Sequence, residues 1–361
     1  MKTVSRGPIL LGLGLGAVLL VTPAYHAATS GSIVDDLLEQ QMGFSTADLR
    51  ALDAGSPAIK SLDTPVHEEL AHVGVVYVDA PADRFLERFR DIERFETGPG
   101  IPQIGRFSNP PRFEDLESMT LPAADVRALP TCHPGDCDVK LSAAAMRRFQ
   151  NEVDWSSSDA ARQATEVARK MILELVLAYQ ADGNAALGRY DDGGEPLQVA
   201  EQFGALLAAR DPLPAPVPEL LAYLDSYPLG RPAGVDDFLY WTLVDFGLKQ
   251  TIRVNHVTVY PLPAHSSSGV VYAIAIKQLY ASHYFHTTLE LRFLVVDDRR
   301  AGRRGTSLIS ITRSRSDGMT GLKGLFLRPI ISRRSRDAVR GYLEHMKRQV
   351  ERPDPTRSEP K

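Results

Sequence analysis

The residues of this 361-residue chain whose types come closest to chemistry are its histidines, and their spacing decides what they can do. In IKQLYASHYFHTTLELRFLVV, Ile276–Val296, His283 and His286 stand three apart among β-branched and aromatic residues. On one strand such residues point to opposite faces and lie ~10 Å apart, too far to share a metal whose bonds to imidazole are ~2.0–2.1 Å. The stretch therefore predicts two strands meeting near Tyr284, with at most one of the two histidines facing a ligand. HEELAH, His67–His72, has one residue too many for an HExxH zinc helix. Five helical steps turn through about 500° and leave the two imidazoles about 140° apart. His256, in TIRVNHVTVY, shares its strand face with Ile252 and Val254 and so points toward a core or a cavity.

No other motif fixes a reaction. There is no GxSxG elbow, P-loop or EF-hand, and DGNAALGRYDDGG from Asp182 lacks the acidic spacing of a calcium loop. GLGLG near the amino terminus follows no strand, so it does not read as a nucleotide loop. Accordingly no metal, no cofactor and no catalytic residue is expected, although a constellation assembled from distant residues stays open. Cys132 and Cys137, in TCHPGDCDVKL, are spaced to bridge across a Pro134-Gly135 turn, whereas redox pairs are spaced CxxC and haem attachment needs CxxCH. Closing a loop of about six residues stabilises by roughly 2 kcal/mol on the chain-entropy model.

The ends of the chain bound its surroundings. Lys2 and Arg6 precede an apolar run, Ile9–Val21, broken at Pro23 and followed by small residues, which is a secretory pattern covering residues 1–30. A disulfide fits the same export, to the periplasm or beyond, and an uncleaved leader anchoring the chain to the inner membrane is the alternative. Charge is lopsided. The net charge is −4, but from Arg299 to Lys361 there are 17 basic and 6 acidic residues, against 24 and 39 in the remainder. A basic carboxy-terminal helix suits an anionic membrane surface, and nucleic acid is not expected.

These residues need elements to hold them. After a helical and loop segment over 31–65, Val73–Val78 reads as a strand that breaks at Asp79-Ala80-Pro81 and feeds an amphipathic helix carrying Phe85, Phe89, Ile92 and Phe95. Residues 98–134 read as loop with short elements, and helices follow at 158–181, 197–209 and 219–223. Beyond Asp236 five successive β-rich runs form an antiparallel meander. A final helix over 325–350 and a polar tail over 351–361 close the chain.

A strand, then VDAPADRFLERFRDIERF, then antiparallel strands and a long last helix resembles the START-like, polyketide-cyclase-like helix-grip superfamily. The resemblance rests on Val78-Asp79-Ala80-Pro81 and Asp91-Ile92, and otherwise on the order of elements. It implies an α+β domain over 66–350, with a curved antiparallel sheet around the last helix and a helical insertion at 155–234. It also implies an apolar cavity. Tyr240, Trp241, His256, Tyr272, Tyr280, His283, Tyr284 and Phe293 lie in the meander and are the candidate lining of such a cavity. The expected ligand is a hydrophobic small molecule or lipid carried without covalent chemistry. The alternatives are a cyclase or hydrolase using His256 or His283 as acid–base group, and an envelope scaffold presenting the central helices outward.

Overall fold

The computed structural model describes residues 33–353 except 65, 67, 99, 209–212, 248, 264–268, 298–304 and 317–320, and gives the backbone alone for 33 and 321–332. The leader expected over 1–30 and most of the tail expected over 351–361 lie outside the described residues.

The described residues open with helix α1 (Ile33–Asp36), a π-helical turn at Leu37–Gln41 and α2 (Thr46–Asp53). Ser45 caps α2: its hydroxyl accepts from the Asp48 amide while the Asp48 carboxylate accepts from the Ser45 amide. Strand β1 (Ala58–Leu62) pairs with β2 (Glu69–Val78), and α3 (Ala82–Arg90) and α4 (Ile92–Glu96) follow. The stretch read as loop with short elements holds β3 (Gln103–Arg106), α5 (Ala123–Ala128) and two single 3₁₀ turns. Next come α6 (Ala143–Glu152), α7 (Ala160–Asp182), the short ladder of β4 (Arg189–Tyr190) with β5 (Leu197–Gln198), α8 (Val199–Ala208) and α9 (Pro218–Ser226). Helix α7 stops at Gly183, whose φ of +60° is open to glycine and whose absent Cβ would stand 1.6 Å from the Tyr227 carbonyl oxygen.

The five β-rich runs are β6 (Asp236–Asp245), β7 (Gln250–Pro261), β8 (Val270–Ala281), β9 (Phe285–Asp297) and β10 (Gly305–Ser316), before α10 (Gly321–Glu351). They form a meander as expected. One eight-stranded antiparallel sheet results, in the order β1-β2-β10-β9-β8-β7-β6-β3. The fold is therefore α+β, an antiparallel sheet with a carboxy-terminal helix in a helix-grip-like arrangement. The segment expected as an insertion does not break the sheet, because β2 pairs directly with β10 across it.

Both faces of this sheet are covered, which explains why its strands read as nearly continuous apolar runs instead of alternating with polar residues. On β9, Leu289, Leu291, Phe293 and Val295 pack with α1, α8 and α9, while Leu294 packs on the other face. That second face meets Phe85, Phe89 and Phe95 of α3 and α4, and Leu343, Met346 and Val350 of α10. Helix α10 seats closely on β2: a Cβ on Gly74 would come within 2.7 Å of Leu343. Helices α6 and α7 cover the first face further along, against Leu239, Trp241, Ile252 and Leu279. The insertion helices and the last helix thus sit on opposite faces of the sheet.

Cys132 and Cys137 form a disulfide, with their Cα atoms 4.5 Å apart across the His133–Asp136 turn. No helix among the described residues is long and apolar enough to cross a membrane.

Candidate functional site

The α10 face of the sheet carries a buried polar band. Strand alternation sends Thr288, Glu290 and Arg292 of β9 to that face with Leu294, and Asn255 of β7 with Val257. Gln278 of β8 lies beside Asn255, and Ser310 of β10 beside Arg292. Arg292 organises the band. Its Nε donates to Glu290 at 2.7 Å, and its Nη2 donates to the Tyr342 hydroxyl of α10 at 2.6 Å. Tyr342 in turn donates to the Glu96 carboxylate of α4, and Ser310 donates to Glu290 at 2.6 Å. The Arg292 guanidinium also lies 5.3 Å from the Phe89 ring centre and 5.0 Å from that of Tyr342, a cation–π arrangement on two sides.

The electrostatics follow from burial. Desolvation raises the Glu96 carboxyl above its usual range, since the Arg292 charge and the Tyr342 hydroxyl only partly compensate. Burial acts the same way on Glu290, but there the adjacent Arg292 outweighs it and holds the carboxyl low. Burial also opposes the Arg292 charge, and Glu290 more than offsets it.

This network is incomplete in one direction. Arg292 Nη1, Gln278 Nε2, Thr288 Oγ1 and both polar atoms of the Asn255 amide are buried without a hydrogen-bond partner among the described residues. Gln278 does use its oxygen, accepting from Arg253 at 3.0 Å. Each such orphan costs about 1–3 kcal/mol, so a cluster of them on one face marks a place where a polar partner belongs. Chemically the set offers several donors and one amide oxygen acceptor to a ligand's polar end.

The eight aromatic and histidine candidates are divided by the sheet and do not share one cavity. Tyr240 lies on the α10 face, its hydroxyl pKa pushed up by burial, and Tyr272 stands at the rim with its hydroxyl donating to Asp83 at 3.0 Å. Trp241, His256, Tyr280 and Phe293 belong to the opposite face. His283 sits in the turn joining β8 and β9, and Tyr284 beside it takes φ +63° and accepts from the Lys249 amide. The two strands do meet at Tyr284, and His283 is 2.9 Å from Asp125, while His286 is buried at the start of β9.

His256 shares its face with Ile252 and Val254, as its spacing predicts, and is fully buried. Its Nε2 is 3.0 Å from Asp237 and its Nδ1 is 3.0 Å from the Tyr179 hydroxyl. Asp237 also accepts from Thr258 and Tyr223, at 2.8 Å each. Burial pulls the imidazole pKa down, and Asp237 opposes this only in part. With both ring nitrogens engaged, this histidine joins α7 to β6 and β7 and has no nitrogen left for a substrate.

Lys277 lies on the same face, donating to the Asn184 side chain with its ammonium 3.9 Å from the Phe203 ring centre. Burial pulls its pKa from about 10.5 down to about 7. Between these values the unfolded chain binds a proton that the folded chain does not, so the stability present at high pH is lost as pH falls toward 7. Urea denaturation at pH 7.5 and pH 10 is expected to show Lys277→Met increasingly more stable relative to wild type at the lower pH. An equal difference at both values would refute the assignment.

The decisive band of Glu290, Arg292, Asn255 and Gln278 is not among the aromatic and histidine candidates. The available signal was charge in the wrong place: Glu290 and Arg292 stand two apart inside an otherwise apolar strand, TTLELRFLVV. Neither the known protein-family models nor the curated protein sequences contain a match to this chain.

Proposed function

We propose that this chain is a START-like, helix-grip protein that binds and carries a hydrophobic small molecule or lipid between its sheet and its last helix, without covalent chemistry. The observation that carries the reading is the buried row of unpaired donors on the face toward α10, Arg292, Gln278 and Asn255, set among apolar residues. Ligand sites combine this kind of apolar lining with a few fixed polar groups that orient the ligand. The secretory pattern of the first thirty residues and the Cys132–Cys137 bridge support an exported protein. Arg333, Arg334 and Arg336 on the exposed side of α10 supply a surface for anionic head groups.

The test is native mass spectrometry and lipid extraction of the full chain purified from its own compartment. The comparison is an Asn255→Leu/Gln278→Leu double variant. Wild type is expected to retain a ligand. The variant is expected to lose it while still unfolding cooperatively at a similar urea concentration, because three of the four amide atoms removed have no partner among the described residues and only the Arg253–Gln278 bond is given up. A wild type that is consistently empty, or a variant that keeps the ligand, would overturn the reading.

A further inference from the structure

We infer that the chain carries a second ligand site on the opposite face of the sheet, an apolar cleft with one carboxylate oxygen left without a partner, that takes a small lipophilic amine. The cleft lies between α5, α6 and α7 and strands β7 and β8, and its volume is about 200 Å³. Its walls are predominantly aliphatic and aromatic: Phe149 comes from α6, Ile172 from α7, Ile252 from β7 and Leu279 from β8. Met171 and Leu175, half-buried on α7, and exposed Arg189 form its mouth. A register shift opposite Val254 lets both Leu279 and Tyr280 reach this face, whereas Gln278 belongs to the band on the other. The sheet itself separates the two sites.

Asp125 is the chemical feature of the cleft. It is 2% exposed; one carboxylate oxygen takes the His283 Nε2 contact at 2.9 Å, and the other, Oδ2, is buried with no partner among the described residues. The remaining charges of the lining are matched. Lys140 lies 3.5 Å from Asp192, and Arg189 lies 2.7 Å from Asp191. Among the described residues Asp125 is therefore the lining charge that keeps a buried oxygen open, and that oxygen needs a donor. An ammonium supplies both the charge and the N–H, and a charge-assisted bond is roughly twice as strong as a neutral one. The apolar walls take the rest of the molecule. A dry apolar cavity of roughly 150 Å³ accommodates benzene, so this cleft suits one ring with a short arm.

The experiment titrates the full chain at pH 7 with 2-phenylethylamine and with its neutral counterpart 2-phenylethanol, read by calorimetry and ligand-observed NMR. The amine is expected to bind at least tenfold more tightly than the alcohol. Asp125→Asn, which keeps the shape and an acceptor for His283, is expected to erase that preference. Ala145→Phe, which narrows the cleft from its rim, is expected to weaken both probes at least fivefold. The Asn255→Leu/Gln278→Leu variant is expected to bind the amine as wild type does, which keeps this site distinct from the one under α10. No binding of either probe at millimolar concentration overturns the inference, as does an amine preference that is absent in wild type or that survives Asp125→Asn.

Discussion

Arg292→Met is expected to destabilise the folded chain by about 3–5 kcal/mol, the range found when one partner of a buried ion pair is removed. The cause is what remains. Glu290 accepts from Arg292 and Ser310 in a largely buried site, and without the guanidinium its charge has lost the partner that offsets burial. Tyr342 would also lose the donor that ties α10 to β9, leaving only its bond to Glu96. The loss would be a large share of the 5–15 kcal/mol that typically separates folded from unfolded states. Urea titration followed by circular dichroism measures it. The double variant Arg292→Met/Glu290→Gln should recover at least half of the loss, since the Glu290 charge is then gone and Glu96 keeps its bond from Tyr342. If the double variant were as unstable as the single, the damage would come from lost packing against Phe89 and Tyr342, not from the stranded carboxylate.

Trp241→Ala is expected to cost a similar amount, about 3–5 kcal/mol, as large aromatic truncations in cores do. Trp241 of β6 is fully buried, and its indole N–H donates to the Asp115 carbonyl at 2.9 Å. The indole also fills the space above Gly105 of β3, where an added Cβ would stand 2.5 Å from the ring nitrogen. One side chain thus joins the edge strand, the sheet and the loop carrying Asp115. Trp241→Phe keeps most of the apolar volume and removes only the donor, so its cost should fall to about 1–3 kcal/mol. Denaturant midpoints of the two variants measure the split, and equal midpoints would show that the hydrogen bond, not the ring volume, dominates.

The two substitutions probe parts of the molecule that were unequally legible beforehand. The helix after Pro81 was readable because Phe85, Phe89, Ile92 and Phe95 repeat at helical spacing, and the structure adds only a break at Asp91. The turn at Tyr284 was readable because two β-rich runs meet there with no room for a longer loop. Strand β1 was missed, since AIKSL is short, half-polar and flanked by Pro57, and it is held by pairing with β2. The charged pair Glu290 and Arg292 was visible as residues but not as a site.

What the sequence determined by itself is everything that depends on neighbours along the chain: the α+β order of elements, the disulfide loop between Cys132 and Cys137, and the alternation that puts His256 with Ile252 and Val254. Only the tertiary structure decided which layer covers each face of the sheet. Alternation divides Ala273 and Ala275 from Ile274 and Ile276, but both pairs are apolar, and nothing local says that the first meets α8 and α9 while the second faces α3 and α10. The same limit hid the sites. Asp125 reaches His283 across 158 residues, and Tyr342 reaches Arg292 across 50, contacts that only long-range pairing of strands and helices could create.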